Sequence, residues 1–240
     1  MLQALLFDCD GVLVDTERDG HRVAFNQAFR RAGLDLDWSV SRYGRLLKVA
    51  GGKERMTHYF NEDGWPPEIT DRANFIRNLH RAKTGHFMEL VKAGDMSVRP
   101  GVTGLIAEAR DAGLPVGVCS TSNVQAVQAI VDEILGAELA ADIRVFAGDM
   151  VRKKKPDPAI YLLGAKTLKV DPCACVVIED SFIGLAAAKS AGAACIVTRS
   201  TYTVDEDFSK ADLVVDDLSA GGVDLATCGR VLETANLERG

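Results

Sequence analysis

Two aspartates, Asp8 and Asp10, stand two positions apart after the short apolar run Ala4-Leu5-Leu6-Phe7, and Gly11 follows to permit a sharp turn. Carboxylates brought that close need a cation, or one of them must keep a proton. Either condition does chemistry. A metal leaves Asp8 ionised as a nucleophile, and a protonated Asp10 acts as a general acid. The same D-x-D-G string also describes an ordinary surface turn. Further pieces recur after later apolar runs. Ser120-Thr121-Ser122-Asn123 follows Val116–Cys119 at the start of a helical pattern. Hydroxyls and backbone N–H groups there bind a phosphoryl oxyanion, or simply cap the helix. Lys155 directly precedes Pro156, which can begin a helix, while Lys153 and Lys154 read as a solvated basic run. Glu179-Asp180-Ser181 closes the run Val176–Ile178 with a second acidic pair. Oxygen-only ligands with no histidine nearby suit Mg²⁺ rather than zinc.

These groups must be delivered by something rigid. The runs Ala4–Phe7, Val116–Cys119, Ile143–Phe146, Val176–Ile178, Cys195–Thr198 and Leu213–Val215 are nearly all apolar, as strands buried on both faces of a parallel sheet are. Helical patterns at 102–112, 124–135, 158–168 and 184–191 alternate with them, which predicts an α/β doubly wound sheet. The interval 17–96 carries no strand pattern, only helical stretches at 22–32, 53–59 and 69–92. It is too long for a crossover, so it reads as a helical domain inserted into a core made of 1–16 and 97–240. Within it, Gly51-Gly52-Lys53-Glu54-Arg55 joins open backbone N–H groups to two cations. It reads as a cradle for a second phosphate or as a helix cap with exposed basic residues.

Composition narrows the partners. With 28 basic and 34 acidic residues the chain carries a net charge of −6, which argues against nucleic acid and membrane surfaces as partners. A few well-placed cations still leave room for a small anion. No apolar run reaches the length of a membrane span. Cys9, Cys119 and Cys195 lie in or beside apolar runs and read as buried free thiols. Cys173 and Cys175 lack the further ligands of a zinc site.

The order of these motifs resembles the haloacid-dehalogenase superfamily of aspartate-nucleophile phosphohydrolases: D-x-D-G-x-L at Asp8–Leu13, Ser120 or Thr121, Lys155, and Glu179-Asp180. The resemblance implies a Rossmann-like core with an inserted helical cap that excludes water and selects substrate. It implies Asp8 as nucleophile and Asp10 as acid/base. It further implies a Mg²⁺ held by Asp8, the Asp10 carbonyl and Asp180 with Glu179 beside them, and charge stabilisation by Ser120 and Lys155. Asp10 argues against dehalogenation, which has no leaving alkoxide to protonate. Thr16-Glu17, His21-Arg22, Phe25-Asn26, Gly51–Arg55, Phe146–Asp149, Lys154–Pro158 and Ser181–Ala186 resemble CbbY-type phosphatases, most of all the plant and algal members. That branch implies xylulose 1,5-bisphosphate, an inhibitor of Rubisco, as substrate. Contacts would come from Glu17, His21, Gly52, Lys53, Arg55, Lys83, Thr121, Ser122 and Asn123. One departure is that His21 follows Glu17 by four residues, where the bacterial pattern usually has three. A monomer in the chloroplast stroma is implied, its transit peptide removed, or a cytoplasmic protein if the source is bacterial. The rival readings are a β-phosphoglucomutase-like mutase, a broad sugar phosphatase, and a non-catalytic phosphosugar-binding regulator.

Overall fold

Short runs of branched aliphatic residues gain most when water is removed from both faces, at ~1.5–3 kcal/mol per fully buried large side chain. The computed structural model, which describes residues 1–49 and 51–239 and leaves the Asp149 side chain outside the description, follows that logic. The strands are β1 (Ala4–Phe7), β2 (Val116–Cys119), β3 (Ile143–Phe146), β4 (Cys175–Glu179), β5 (Ala194–Thr198) and β6 (Leu213–Val215). Among the described residues they form one six-stranded sheet in the order β3-β2-β1-β4-β5-β6, with every pairing parallel. Every residue of β1, β2, β4 and β5 is buried. The order reverses about β1, so its carboxyl end lies at the topological switch point where open α/β sheets bind ligands.

The chain divides into two units, Met1–Asp15 with Met96–Gly240, and Thr16–Asp95. The second is helical: a π-helical turn (Thr16–His21), then α1 (Arg22–Arg31), α2 (Val40–Leu46), α3 (Gly52–Asp63) and α4 (Arg72–Ala93). Its core is aromatic. Trp38 is fully buried, with Phe25, Phe29 and Tyr59 rings at 4.9, 4.8 and 5.4 Å. Asn26 clamps the backbone at Trp38, donating to its carbonyl (3.1 Å) and accepting from its N–H (2.8 Å). Buried on α1, that amide satisfies two main-chain groups that water cannot reach.

The α/β unit adds α5 (Val102–Asp111), α6 (Val124–Ile134), α7 (Ala137–Ala140), α8 (Ala159–Leu168), α9 (Phe182–Ser190) and α10 (Leu225–Leu237). Pro156 does not begin α8, which starts at Ala159 with Pro158 as its cap. Sequence periodicity gave no sign of α2 or α10, although Ser39 and Asp224 cap them by accepting from the N–H of Arg42 and of Thr227. The cysteines are all free thiols, Cys173 exposed and the others buried.

Candidate active site

Parallel strands all present their following loops at one edge of the sheet. Asp8 and Asp10 follow β1, Ser120 follows β2, Lys155 lies in the segment after β3, and Glu179 ends β4 with Asp180 next. Asp8 is buried, and its N–H donates to the Ile178 carbonyl at 2.9 Å. The Lys155 ammonium, on a side chain only 4% exposed, donates to Asp8 Oδ1 and to Glu179 Oε1 at 2.7 Å. Gly11 takes φ +83, and a Cβ there would lie 2.0 Å from Asp180 Oδ2. Glycine at this position lets the turn after Asp10 lie against Asp180.

Hydroxyls hold Asp10. Ser122 Oγ donates to Asp10 Oδ2 at 2.5 Å, and Ser120 Oγ lies 3.4 Å from the same oxygen while accepting from the Ser122 N–H at 3.0 Å. Two residues expected to contact substrate also have partners within the protein. Asn123 Oδ1 caps α6, accepting from the N–H groups of Gln125 (2.9 Å) and Ala126 (3.3 Å). The Thr121 carbonyl accepts from Lys154 at 3.0 Å, so Lys154 is not merely solvated. Lys153 is 79% exposed, with Asp157 at 3.6 Å.

Glu179 is saturated. Its Oε1 accepts from Lys155 and from the Tyr161 hydroxyl (2.6 Å), and its Oε2 from the N–H groups of Asp180 and Ser181 and the Ser181 hydroxyl. A Cβ on Gly184 would lie 1.8 Å from Glu179 Oε1, so the first turn of α9 admits this carboxylate only because residue 184 is glycine. Glu179 therefore acts as a buried support for Lys155, and the open carboxylates are those of Asp8 and Asp180. Sequence reading missed Tyr161, though a phenol inside the run Ile160–Leu163 had to find a buried partner.

The local charge does not balance. Carboxylate oxygens of Asp8, Glu179 and Asp180 lie within 4.8 Å of one another, and among the described residues one ammonium, that of Lys155, pairs with Asp8 and Glu179. Burial pushes Asp8 up to about 7 against the pull of Lys155, with Glu179 and Asp10 adding to the rise. Asp180 is raised well above its ordinary value by burial, then by Glu179 and Asp8, while a hydrogen bond from Ser200 works against this. Burial would raise Glu179 too, but the charge and hydrogen bond of Lys155, with Tyr161 and the Asp180 N–H, hold it below its ordinary value. Burial would lower Lys155, and Asp8 and Glu179 outweigh it. A buried, oxygen-only donor set short of positive charge fits a hard divalent cation such as Mg²⁺.

The helical unit gathers a second constellation. Tyr43 donates to Glu17 Oε2 at 2.6 Å and accepts from Arg55 Nη1 at 2.8 Å. Arg55 Nε donates to the Leu46 carbonyl, and the guanidinium lies over the Tyr43 ring. Arg55, expected at the phosphate cradle, is buried and reaches Glu17 through Tyr43. His21 and Lys83 come together, with Nδ1 and Nζ 3.0 Å apart, and Lys83 lies 5.0 and 5.4 Å from the Phe25 and Phe87 ring centres. Gly52 opens α3 against His80, whose ring atoms would lie 3.1 Å from a Cβ there. Burial, then Lys83 and Lys53, lower His80. Exposed Lys53 and half-buried His80 and Lys83 are basic groups that gather near Gly52. Among the described residues, no helix is long and apolar enough to cross a membrane.

The haloacid dehalogenase-like hydrolase family matches residues 2–192. A CBBY-like protein of Arabidopsis thaliana is 57% identical over 236 residues, covering 95% of this chain and 74% of the relative. The crystal structure of CbbY from Rhodobacter sphaeroides in complex with phosphate superposes with a TM-score of 0.78 at 40% identity, covering 95% of this chain and 100% of that one. A mutant of the same protein, in complex with xylulose 1,5-bisphosphate, gives a TM-score of 0.75 at 39% identity over 94% and 100% of the two chains.

Proposed function

The chain belongs to the haloacid dehalogenase-like hydrolases, as a CbbY-like phosphatase, and we propose that it hydrolyses xylulose 1,5-bisphosphate to xylulose 5-phosphate and phosphate. The observation that carries this reading is the buried arrangement of Asp8, Lys155, Asp180 and the hydroxyl-held Asp10 at one sheet edge. The xylulose 1,5-bisphosphate complex of a 39% identical CbbY supports the substrate. Similarity to an Arabidopsis protein supports a plastid setting, the chloroplast stroma, where removing this compound would protect Rubisco.

In this reading an Asp8 carboxylate oxygen attacks phosphorus. The bond from phosphorus to the sugar oxygen breaks, and the Asp10 carboxyl gives that oxygen its proton. Asp10, now a carboxylate, takes a proton from the water that attacks the phosphoaspartate, freeing inorganic phosphate and restoring Asp8. Lys155 and Ser120 offset charge on the transferring group, and the Glu179–Tyr161 pair keeps Lys155 aimed at Asp8. Asp8 and Asp180 would hold Mg²⁺ with the Asp10 carbonyl, and the bound ion would supply positive charge to offset that of the phosphoryl group. Glu17, His21, Gly52, Lys53 and Lys83 provide the sugar and distal-phosphate contacts.

The test is a panel of sugar mono- and bisphosphates, following both phosphate release and the sugar product. Wild type should release phosphate from xylulose 1,5-bisphosphate without an activator, and Asp8→Asn should abolish it. An isomerised monophosphate in place of free phosphate would establish the mutase reading. Unchanged release by Asp8→Asn would overturn the nucleophile.

A further inference from the structure

Arg99 lies just past the helical insert, and its backbone and side chain both grip the turn after β1. Its N–H donates to the Leu13 carbonyl at 2.9 Å, and the preceding Val98 pairs antiparallel with Val14. Its Nη1 donates to the Gly11 carbonyl, to the Thr198 carbonyl (3.2 Å) and to Thr198 Oγ1 (2.9 Å). Its Nη2 donates to the carbonyls of Arg199 (2.5 Å) and Asp216 (2.9 Å). These acceptors lie at or past the carboxyl ends of β1, β5 and β6. Thr198 Oγ1 also reaches the Glu179 carbonyl at 3.5 Å, which brings in the end of β4. A planar fork of donors is suited to hold several carbonyls in fixed relation, as a single ammonium is not.

We propose that Arg99 is a positioning residue for Asp10: its guanidinium ties the Gly11 carbonyl to the ends of β5 and β6, and so fixes the turn residue next to the general acid. Gly11 is held on its other side as well, because its Cα packs so closely on Asp180 that no Cβ fits. The Asp10 carboxyl is gripped separately by Ser122 and Ser120. The Asp10 side chain and the neighbouring Gly11 backbone are therefore located by different partners, and proton transfer is sensitive to that geometry. The inference rests on the reading of Asp10 as the acid that protonates the leaving oxygen.

A purely structural arginine and a positioning arginine differ in one readout. A sugar alkoxide needs a proton as it departs, whereas p-nitrophenolate leaves without one. The ratio kcat/KM reports the enzyme up to leaving-group departure, so later hydrolysis of the phosphoaspartate does not confuse the comparison. Arg99→Ala and Arg99→Lys should lower kcat/KM on the sugar phosphate about 10- to 100-fold, while p-nitrophenyl phosphate changes less than about threefold. Guanidinium ion added to Arg99→Ala should restore part of the loss on the sugar phosphate. Thr198→Val removes one acceptor of the guanidinium with little change of shape, and should give a smaller discrimination of the same sign. Asp10→Asn is the control, with a sugar-selective loss of about 10²–10⁴. If Asp10→Asn discriminates between the substrates and the Arg99 and Thr198 variants lose both equally or neither, the inference fails alone. If Asp10→Asn does not discriminate, the general-acid reading fails and this inference with it.

Discussion

Tyr161 and His80 show what single side chains contribute around a charged site. Tyr161 is buried on α8 and gives its only hydroxyl proton to Glu179, the carboxylate that also holds Lys155. Tyr161→Phe leaves a buried acceptor one donor short, a loss of about 1–3 kcal/mol that urea denaturation would read, and turnover should fall with it. A variant as stable and active as wild type would show that Glu179 does not need this bond. His80 supplies a pH signature. Burial first, then the charges of Lys83 and Lys53, lower it from 6.5, with Glu54 opposing. The unfolded chain then takes up the imidazole proton at higher pH than the folded one. The contribution of His80 to stability is therefore present above pH 6.5 and lost as pH falls through that value toward the lowered folded range. Comparing urea midpoints at pH 7.5 and 5, wild type should weaken more on acidification than His80→Gln. Equal pH slopes would contradict the lowering.

Among the elements, the π-helical turn Thr16–His21 carries both Glu17 and His21, four residues apart. A turn closed by i→i+5 bonds holds one residue more than an α-helical turn, and such turns gather at functional sites. The widened turn lets the fourth residue after Glu17 take the place the third would take in an α-helix. His21 meets Lys83 and the Phe87 ring, whose centroid is 4.1 Å away. Deleting exposed Arg18 should return the turn to α-helical register with little change in melting temperature. Activity on the sugar bisphosphate should drop severalfold while p-nitrophenyl phosphate hydrolysis holds. If both activities persist, the turn is not matched to substrate. Element types were legible where a local pattern was strong, as in β1, β2, β3 and β6, whose bounds coincide with the apolar runs. α2 escaped because Val40-Ser41-Arg42-Tyr43-Gly44-Arg45-Leu46 combines a β-branched residue, serine and glycine, all poor helix formers.

For the whole molecule, an overall charge of −6 matters less than where the charges concentrate. Asp8, Glu179 and Asp180 share one buried region with a single ammonium, so without a cation the folded chain carries an electrostatic cost there. Mg²⁺ at a hundredfold excess over its Kd should raise stability by about 2.7 kcal/mol, read as a shift in melting temperature. Asp180→Asn should lose that shift and, in chelator, melt no lower than wild type, because it removes an uncompensated charge. Residual Mg²⁺ stabilisation in Asp180→Asn would place the ion elsewhere, and full activity in excess chelator would overturn the metal requirement.

Which groups lie at the sheet edge was legible in the chain. Parallel strands are local apolar runs, and each one's following residues must emerge at the same edge. Asp8, Asp10, Ser120 and Asp180 could be assigned there from position alone. Which atoms satisfy which could not. Arg55 turned inward to Tyr43, Tyr161 took Glu179, Asn123 went to its helix cap, and Arg99 bound carbonyls as far away in sequence as Asp216. Periodicity and spacing act over a few residues, whereas a buried donor takes whatever acceptor packing brings within 3 Å or so. That choice exists only once distant segments have been packed together.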